Sequence, residues 1–295
     1  MTQPRQYRPI AIPSFLASLC LLSAPGLIAQ QPVTVQGAPP AQLPPQQLVQ
    51  RVVTTELTAA GQDHSRWLYL DVDQTPKLHQ TRWVAQTPTA DMMRTLEENN
   101  QKLTEAQQRQ KMETFLHDKN AQAKERKKTE EDIKQVAELL KLLPIAFEWT
   151  VAGTQGELTT LHFRPDPKFH PPNAQARILS AVEGDMVICA RMRILNLKGQ
   201  LIHDVKFGGG LLGEIKSGGT FALELKEIAP SEWQFVETHI HFNGHLLLFK
   251  SVSEQEDDIK TGYRRLPDTL TLEQAQSELL KCDQDKTDEM KSSGN

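Results

Sequence analysis

Apolar positions change period along the chain, and each change marks a change of element. Between Gln46 and Ala60 the residues Leu48, Val49, Val52, Val53 and Leu57 recur at helical spacing, which predicts one amphipathic helix with its stripe laid on a sheet. After Gly61 the period falls to two. Trp67, Tyr69 and Asp71 alternate with Leu68, Leu70 and Val72, and His79, Thr81 and Trp83 alternate with Arg82 and Val84. Two strands joined by an Asp73-Gln74-Thr75-Pro76 turn follow from this, with a third over 90–96 that ends at Asn99-Asn100.

The next stretch has a different character. Thr104 with Gln107 three residues on forms a capping box, and from there to Leu143 the chain has no glycine or proline. Met112, Phe115 and Leu116 mark one stripe, and Ile133, Val136, Ala137, Leu140 and Leu143 another. Two helices are predicted, broken near 117–120 and stopped by Pro144. The cluster Lys124 to Lys128 is followed at once by Glu130, Glu131 and Asp132, so it reads as a solvated face.

From Ile145 onward the pattern is that of strands. Strands over 147–151 and 158–163 flank the glycines at 153 and 156. Strands over 178–182 and 186–190 flank Glu183-Gly184-Asp185, and strands over 194–197 and 201–207 flank Lys198-Gly199-Gln200. A meander over 221–228, 233–242 and 245–253 turns at 229–232 and at Asn243-Gly244, a hairpin signal. The acidic run Glu254 to Asp258 is expected at a solvated strand end. A last helix over 271–280 starts at Thr271 with Gln274 three residues on.

Short turns between strands imply antiparallel pairing, since parallel neighbours need long crossovers. The expected fold class is α+β: a curved antiparallel sheet, an incomplete β-barrel, with helices covering one face and an inserted helical hairpin over 103–143. The expected organisation is a leader over 1–29, a Gln/Pro-rich linker over 30–46, one domain over 47–282 and a disordered tail over 283–295.

The leader is read from Arg5 and Arg8, the apolar run through Leu22, and the small residues Ala24, Gly26 and Ala29. These are the parts of a secretory signal peptide, so the protein is expected in the periplasm or secreted. Pro13, Ser14, Ser18, Ser23 and Pro25 interrupt the run, which leaves it short of the roughly 20 apolar residues of a spanning helix. Leu19 before Cys20 is too large for a lipid-attachment motif. No later run suits a bilayer, so the chain is not expected to span a membrane. The formal charge of −4 becomes −6 once Arg5 and Arg8 leave with the leader, which argues against nucleic acid as a partner. Cys189 and Cys282 then remain, and the sequence leaves both a disulfide and two free thiols open.

Candidate chemistry is sparse. His239 and His241 share one face of a strand, and His245 lies just past the Asn-Gly turn. That spacing suits a zinc ion and would support a metal-dependent hydrolase. Gly208 to Gly210, Gly213, Gly218 and Gly219 mimic a phosphate loop, yet Gly213 is followed by Glu214 where a P-loop needs lysine. This segment is expected to bend between strands, with Phe207, Leu211, Leu212 and Ile215 rimming an apolar pocket. Neither a Gly-x-Ser-x-Gly elbow nor a His-Glu-x-x-His helix occurs, so no catalytic residue and no cofactor are assigned.

The order of elements, with Trp67-Leu68-Tyr69 and Arg82-Trp83-Val84 on early strands and a long closing meander, resembles the outer-membrane lipoprotein-sorting carriers and the related periplasmic sensor domains. That resemblance spans about 47–282 and implies a half-barrel, closed by helices, around a cavity for acyl chains. The helices over 104–143 depart from it. Phrases such as His162-Phe163-Arg164-Pro165-Asp166-Pro167 resemble an uncharacterised group of exported bacterial proteins, which implies no activity. The leading expectation is therefore a binding protein that holds a lipid or a lipidated partner. An envelope interaction protein using the charged helices 104–143 is second, and a hydrolase at His239, His241 and His245 third.

Overall fold

One open antiparallel sheet of eleven strands organises the chain in a computed structural model, which describes residues 43–173, 176–210, 213–246 and 255–292, without the side chains of 245, 246 and 283–292. The expected leader, most of the expected linker, and Leu211 and Leu212 lie outside the described residues. Helix α1 (Pro45–Gln62) leads into β1 (Arg66–Gln74), β2 (His79–Ala85), β3 (Met92–Glu98) and the short β4 (Gln101–Lys102). Helices α2 (Glu105–His117) and α3 (Lys119–Ala146) follow, then β5 (Phe147–Gln155), β6 (Leu158–Pro165), β7 (Val182–Cys189) and β8 (Ile194–Leu201). After β9 (Val205–Phe207) and β10 (Gly213–Ile215) come β11 (Thr220–Ala229), β12 (Glu232–His241), β13 (Gly244–Leu246), β14 (Gln255–Leu266) and α4 (Leu272–Ser292). In space the large sheet runs β4-β3-β2-β1-β14-β12-β11-β8-β7-β6-β5, and β13-β10-β9 form a small second sheet.

This order explains the helical insertion. Strands β4 and β5 are consecutive in sequence but stand at opposite edges of the sheet, so the chain must travel the whole width between them. Eleven strands at about 4.8 Å spacing make a sheet roughly 48 Å wide when flat. The 28 residues of α3 give a rod of about 42 Å, a chord across the curved sheet.

The helices divide between the faces by side-chain parity. Leu48, Val49, Val52 and Val53 of α1 pack with Leu143 of α3 against Phe147, Trp149 and Phe163 on the inner face. Met112 of α2 and Ala275 and Leu279 of α4 pack on Leu68, Ala85 and Met92, which point to the opposite face from Tyr69 and Asp71. The hairpin thus turns the sheet edge at Asp118, whose carboxylate accepts from the N–H groups of Asn120 and Ala121 at 3.0 and 2.9 Å. Thr104 and Gln107 form the expected capping box on α2.

Several turn signals mark something else. Gly184 and Gly199, expected in two turns, lie inside β7 and β8 directly opposite each other. A β-carbon on Gly184 would stand 2.0 Å from the Lys198 carbonyl oxygen, and one on Gly199 would stand 2.9 Å from the ring of Phe221. These glycines let strands and an aromatic ring approach closely, which a pattern reading takes for a bend. Residues 176–181 form a short 3₁₀ turn rather than a strand. Asn243-Gly244 closes no hairpin: β12 pairs with β14, while β13 crosses to β10. Pro144 does not stop α3, because so near the end it removes a single hydrogen bond, and the Trp149 Nε1 donates to the Leu143 carbonyl at 3.0 Å. Helix α4 runs to Ser292, past the expected start of a disordered tail at 283. Among the described residues no helix is long and apolar enough to cross a membrane.

Candidate functional site

Between the inner face of the sheet and helices α1 and α3 lies a cavity of about 190 Å³. Its floor is an aromatic cluster, with Phe147 and Phe163 ring centroids 4.8 Å apart and Trp149 and Phe163 5.2 Å apart. Ile194, Leu197, Phe221, Leu223 and Leu225 continue the wall, and Val136, Leu139, Leu140 and Leu143 of α3 form the roof. Alternation along each strand puts every second residue here, so the greasy lining follows directly from the period-two pattern.

The cations in this wall are already matched. Arg193 Nε donates to Glu56 Oε1 at 3.1 Å and its Nη2 lies 3.0 Å from Glu56 Oε2, while its guanidinium stacks 5.2 Å from the Trp233 ring centroid. Lys260 lies against Asp258 and 3.8 Å from Asp71. Tyr263 donates its hydroxyl to the Phe235 carbonyl at 2.8 Å. A ligand entering this space therefore meets mostly hydrocarbon and charges that already have partners.

Beyond Lys260 the inner face becomes ionic. Asp71, Asp73, Arg82, Glu256, Asp258 and Lys260 sit together, with Arg82 Nε 2.6 Å from Asp71 Oδ2. Against burial, which pushes it up, Arg82 and Lys260 hold the Asp71 carboxyl below its ordinary value. Burial pushes Glu256 up to about 8, and the Asp73 and Asp258 charges add to it. Burial likewise raises Asp258 to about 7, with Lys260 opposing and Asp71 reinforcing the rise. Glu254 lies outside the described residues, but the solvated reading of the run is overturned at Glu256 and Asp258, each 3% exposed while Ile259 is 37% exposed. The strand is inside out in polarity because its inward carboxyl groups pair with Lys260 on the same strand and share the inner face with Arg82, which only the folded sheet brings near.

The expected site residues fall elsewhere. Phe207 and Ile215 are buried in β9 and β10 within the main core, and the residues lining the cavity do not include them. His239 and His241 are on the back face, with Thr238 and Phe242 buried opposite as alternation predicts. Asp257 stands across from His239 on β14 and takes both rings: His239 Nδ1 lies 2.6 Å and His241 Nε2 3.0 Å from its Oδ1. The side chain of His245 is not among those described. No group of three or more potential ligands able to hold a metal ion occurs among the described residues. Cys189 and Cys282 are not joined to each other by a disulfide.

Sequence reading missed the ionic cluster and most cavity-lining residues. The one available signal was the alternation Glu256, Asp258, Lys260 in phase with the apolar positions of neighbouring strands. Comparisons with protein-family models, with curated proteins and with solved structures found no match to this chain.

Proposed function

We propose that this is an exported, periplasmic or secreted binding protein whose half-barrel takes up the hydrocarbon part of a lipid or of a lipidated partner. The observation that carries this reading is the apolar cavity between the aromatic floor and the roof of α3. Natural cores are filled to near crystal density, so an unfilled volume of about 190 Å³ costs stability unless something uses it. Because Arg193 and Lys260 both have carboxylate partners, the wall offers no spare charge for an ionised headgroup. The buried part of the ligand is then alkyl, with the headgroup left outside.

Size sharpens the proposal. A dry apolar cavity of about 150 Å³ admits a benzene-sized molecule, so a volume of about 190 Å³ suits a short alkyl segment. The charges on the outer side of α3 pair among themselves, Lys127 with Glu131 at 3.5 Å and Arg126 with Glu130 at 3.8 Å, so they call for no protein partner and the interaction reading stands second.

The test is uptake of an uncharged fluorescent hydrocarbon probe by delipidated protein, with mass spectrometry of organic extracts from the untreated protein. One-to-one binding, displaced by a long-chain fatty acid and weakened at least tenfold by Leu140→Trp, is the expected result. An extract without acyl chains together with no uptake of the probe removes the proposal.

A further inference from the structure

At the β1 end of the cavity most polar side chains have partners inside the fold. Trp67 Nε1 donates to Ser65 Oγ at 2.7 Å, Tyr263 donates to the Phe235 carbonyl, and Lys260 lies against Asp258. Two donors stand apart. Tyr69 lines the cavity and is 7% exposed, yet its hydroxyl has no hydrogen-bond partner among the described residues. Gln86, a lining residue buried to the same degree, accepts the Trp67 backbone N–H on Oε1 at 3.1 Å. That bond fixes which end of the amide is oxygen, and it leaves Nε2 without a partner among the described residues. Neither atom is sealed off as the unpartnered Asp71 Oδ1 and Asp258 Oδ1 are, so a ligand can reach both. Polar groups inside an apolar wall are kept where something hydrogen-bonds them.

Register and stacking hold these donors in place. Tyr69 pairs with Val84 on β2, and the ladder continues to Gln86, whose N–H donates to the Trp67 carbonyl at 3.0 Å. Gln86 is two residues beyond Val84, so the two side chains leave the same face from adjacent strands. The Tyr69 ring stacks on Tyr263 with centroids 5.2 Å apart and planes at 30°, which fixes the line of its hydroxyl. Burial pushes the Tyr69 phenol well above its ordinary range, and the Asp91 and Asp71 charges push the same way, so it keeps its proton and can donate it. Charge limits what these donors take. Beside them Asp71, Asp73, Glu256 and Asp258 make four carboxyl groups against the two cations Arg82 and Lys260. No net positive charge remains to neutralise an ionised carboxylate or phosphate, and burying one uncompensated is costly. A neutral oxygen that only accepts fits them, and Phe235, Leu223 and Phe221 carry the wall onward as hydrocarbon.

We propose that Tyr69 and Gln86 form a subsite for a neutral ester carbonyl, so that the cavity selects an ester-linked acyl chain over a free fatty acid. This rests on the reading of the cavity as a hydrocarbon site and names the linkage it accepts. An ester brings acceptors and no donor, which matches a hydroxyl and an amide N–H that both donate. The Tyr69 hydroxyl makes no bond within the described protein, so removing it costs the fold no contact. That separates the role from a structural one, since a tyrosine kept for stability bonds its hydroxyl inside the fold, as Tyr263 does.

The test compares delipidated wild type with Tyr69→Phe, using an alkane, a fatty-acid methyl ester and the free acid of equal chain length. It is run at pH 8, where the acid in water is ionised. The variant is expected to melt within about 2 °C of wild type and to bind the alkane with unchanged Kd, while its ester Kd rises roughly fivefold. The carbonyl stretch of the bound ester, read by difference infrared spectroscopy, is expected below its frequency in alkane solvent and moves back up in the variant. The free acid is expected to bind wild type at least about tenfold more weakly than the ester. If the alkane binds but Tyr69→Phe leaves the ester Kd and carbonyl band unchanged, the subsite is overturned and the hydrocarbon reading stands. An acid that binds as tightly as its ester overturns the selection, and a variant that melts well below wild type shows a structural hydroxyl. Binding of none of the three ligands removes the cavity reading and the subsite with it.

Discussion

Arg193, the residue before β8, and Glu56 on α1 meet in a two-point ion pair at the cavity wall, 137 residues apart in sequence. The same carboxylate also accepts the backbone N–H of Ile194 at 2.7 Å, so one glutamate fixes helix, strand start and guanidinium together. Glu56 is buried and the Arg193 side chain is only 11% exposed, and breaking such a pair strands an uncompensated charge. Arg193→Met or Glu56→Met alone is expected to cost about 3–5 kcal/mol. The double variant should recover at least half of that, because two apolar side chains remove the charge as well as its partner. Chemical denaturation of the three variants reads the coupling. Additive losses would show that the pair holds nothing together.

Gly199 tolerates no side chain. A β-carbon there meets the Glu183 carbonyl oxygen at 2.4 Å and the Phe221 ring at 2.9 Å, and backbone cannot swing aside as a flexible side chain can. Gly199→Ala is expected to lose about 2–3 kcal/mol, the upper range for overpacking. Gly61→Ala in α1 is the control, with nothing within 4 Å of the new carbon. A helical Ala there should be neutral or stabilising by up to about 1 kcal/mol. Equal losses at both sites would refute the close-approach argument.

Thermal stability should peak in acidic solution. Glu256 and Asp258 are raised by burial to about 8 and about 7, whereas their unfolded values are near 4. Their contribution is whole below the unfolded values and is lost as pH climbs toward the folded ones, at up to about 1.4 kcal/mol per pH unit for each group. On the acid side, Asp71 is lowered against its burial by Arg82 and Lys260, so its contribution goes as pH falls through the carboxylate range. Melting curves from about pH 3 to 9 are expected to show a maximum near roughly pH 4 and a descending limb above it that Glu256→Gln flattens. An undiminished limb in that variant assigns the loss to other groups.

On the back face, the hydrogen bond with Asp257 raises the His239 pKa, against a smaller opposing effect of burial. The stability this supplies is present below the unfolded histidine value near 6.5 and disappears as pH rises through the raised folded value. Asp257→Asn removes the acceptor charge and should bring the His239 titration, followed by NMR, back toward or below the ordinary value. Unchanged titration would mean that Glu237, whose carboxylate lies 3.5 Å from Nε2, carries the effect.

Local order in this protein is written in local pattern. The stripe Leu48, Val49, Val52, Val53 placed α1, the Thr104–Gln107 box started α2, and Asp118 fell where the helical hairpin was expected to break. Alternation placed β1, β2, β11 and β12, because a strand with one face on a core must repeat every two residues. What the pattern alone could not supply was the order of strands in space. That order sends α3 from one edge of the sheet to the other, turns Gly184 and Gly199 into facing partners, and brings Asp258 beside Asp71 and Arg82. A run of acids reads as solvated until the cations that neutralise it are found, and here one of them, Arg82, comes from a strand far away in sequence. The cavity is of the same kind: each apolar residue is legible as inward-facing, but whether inward-facing side chains meet or leave a gap is decided by curvature and by the helix that spans it.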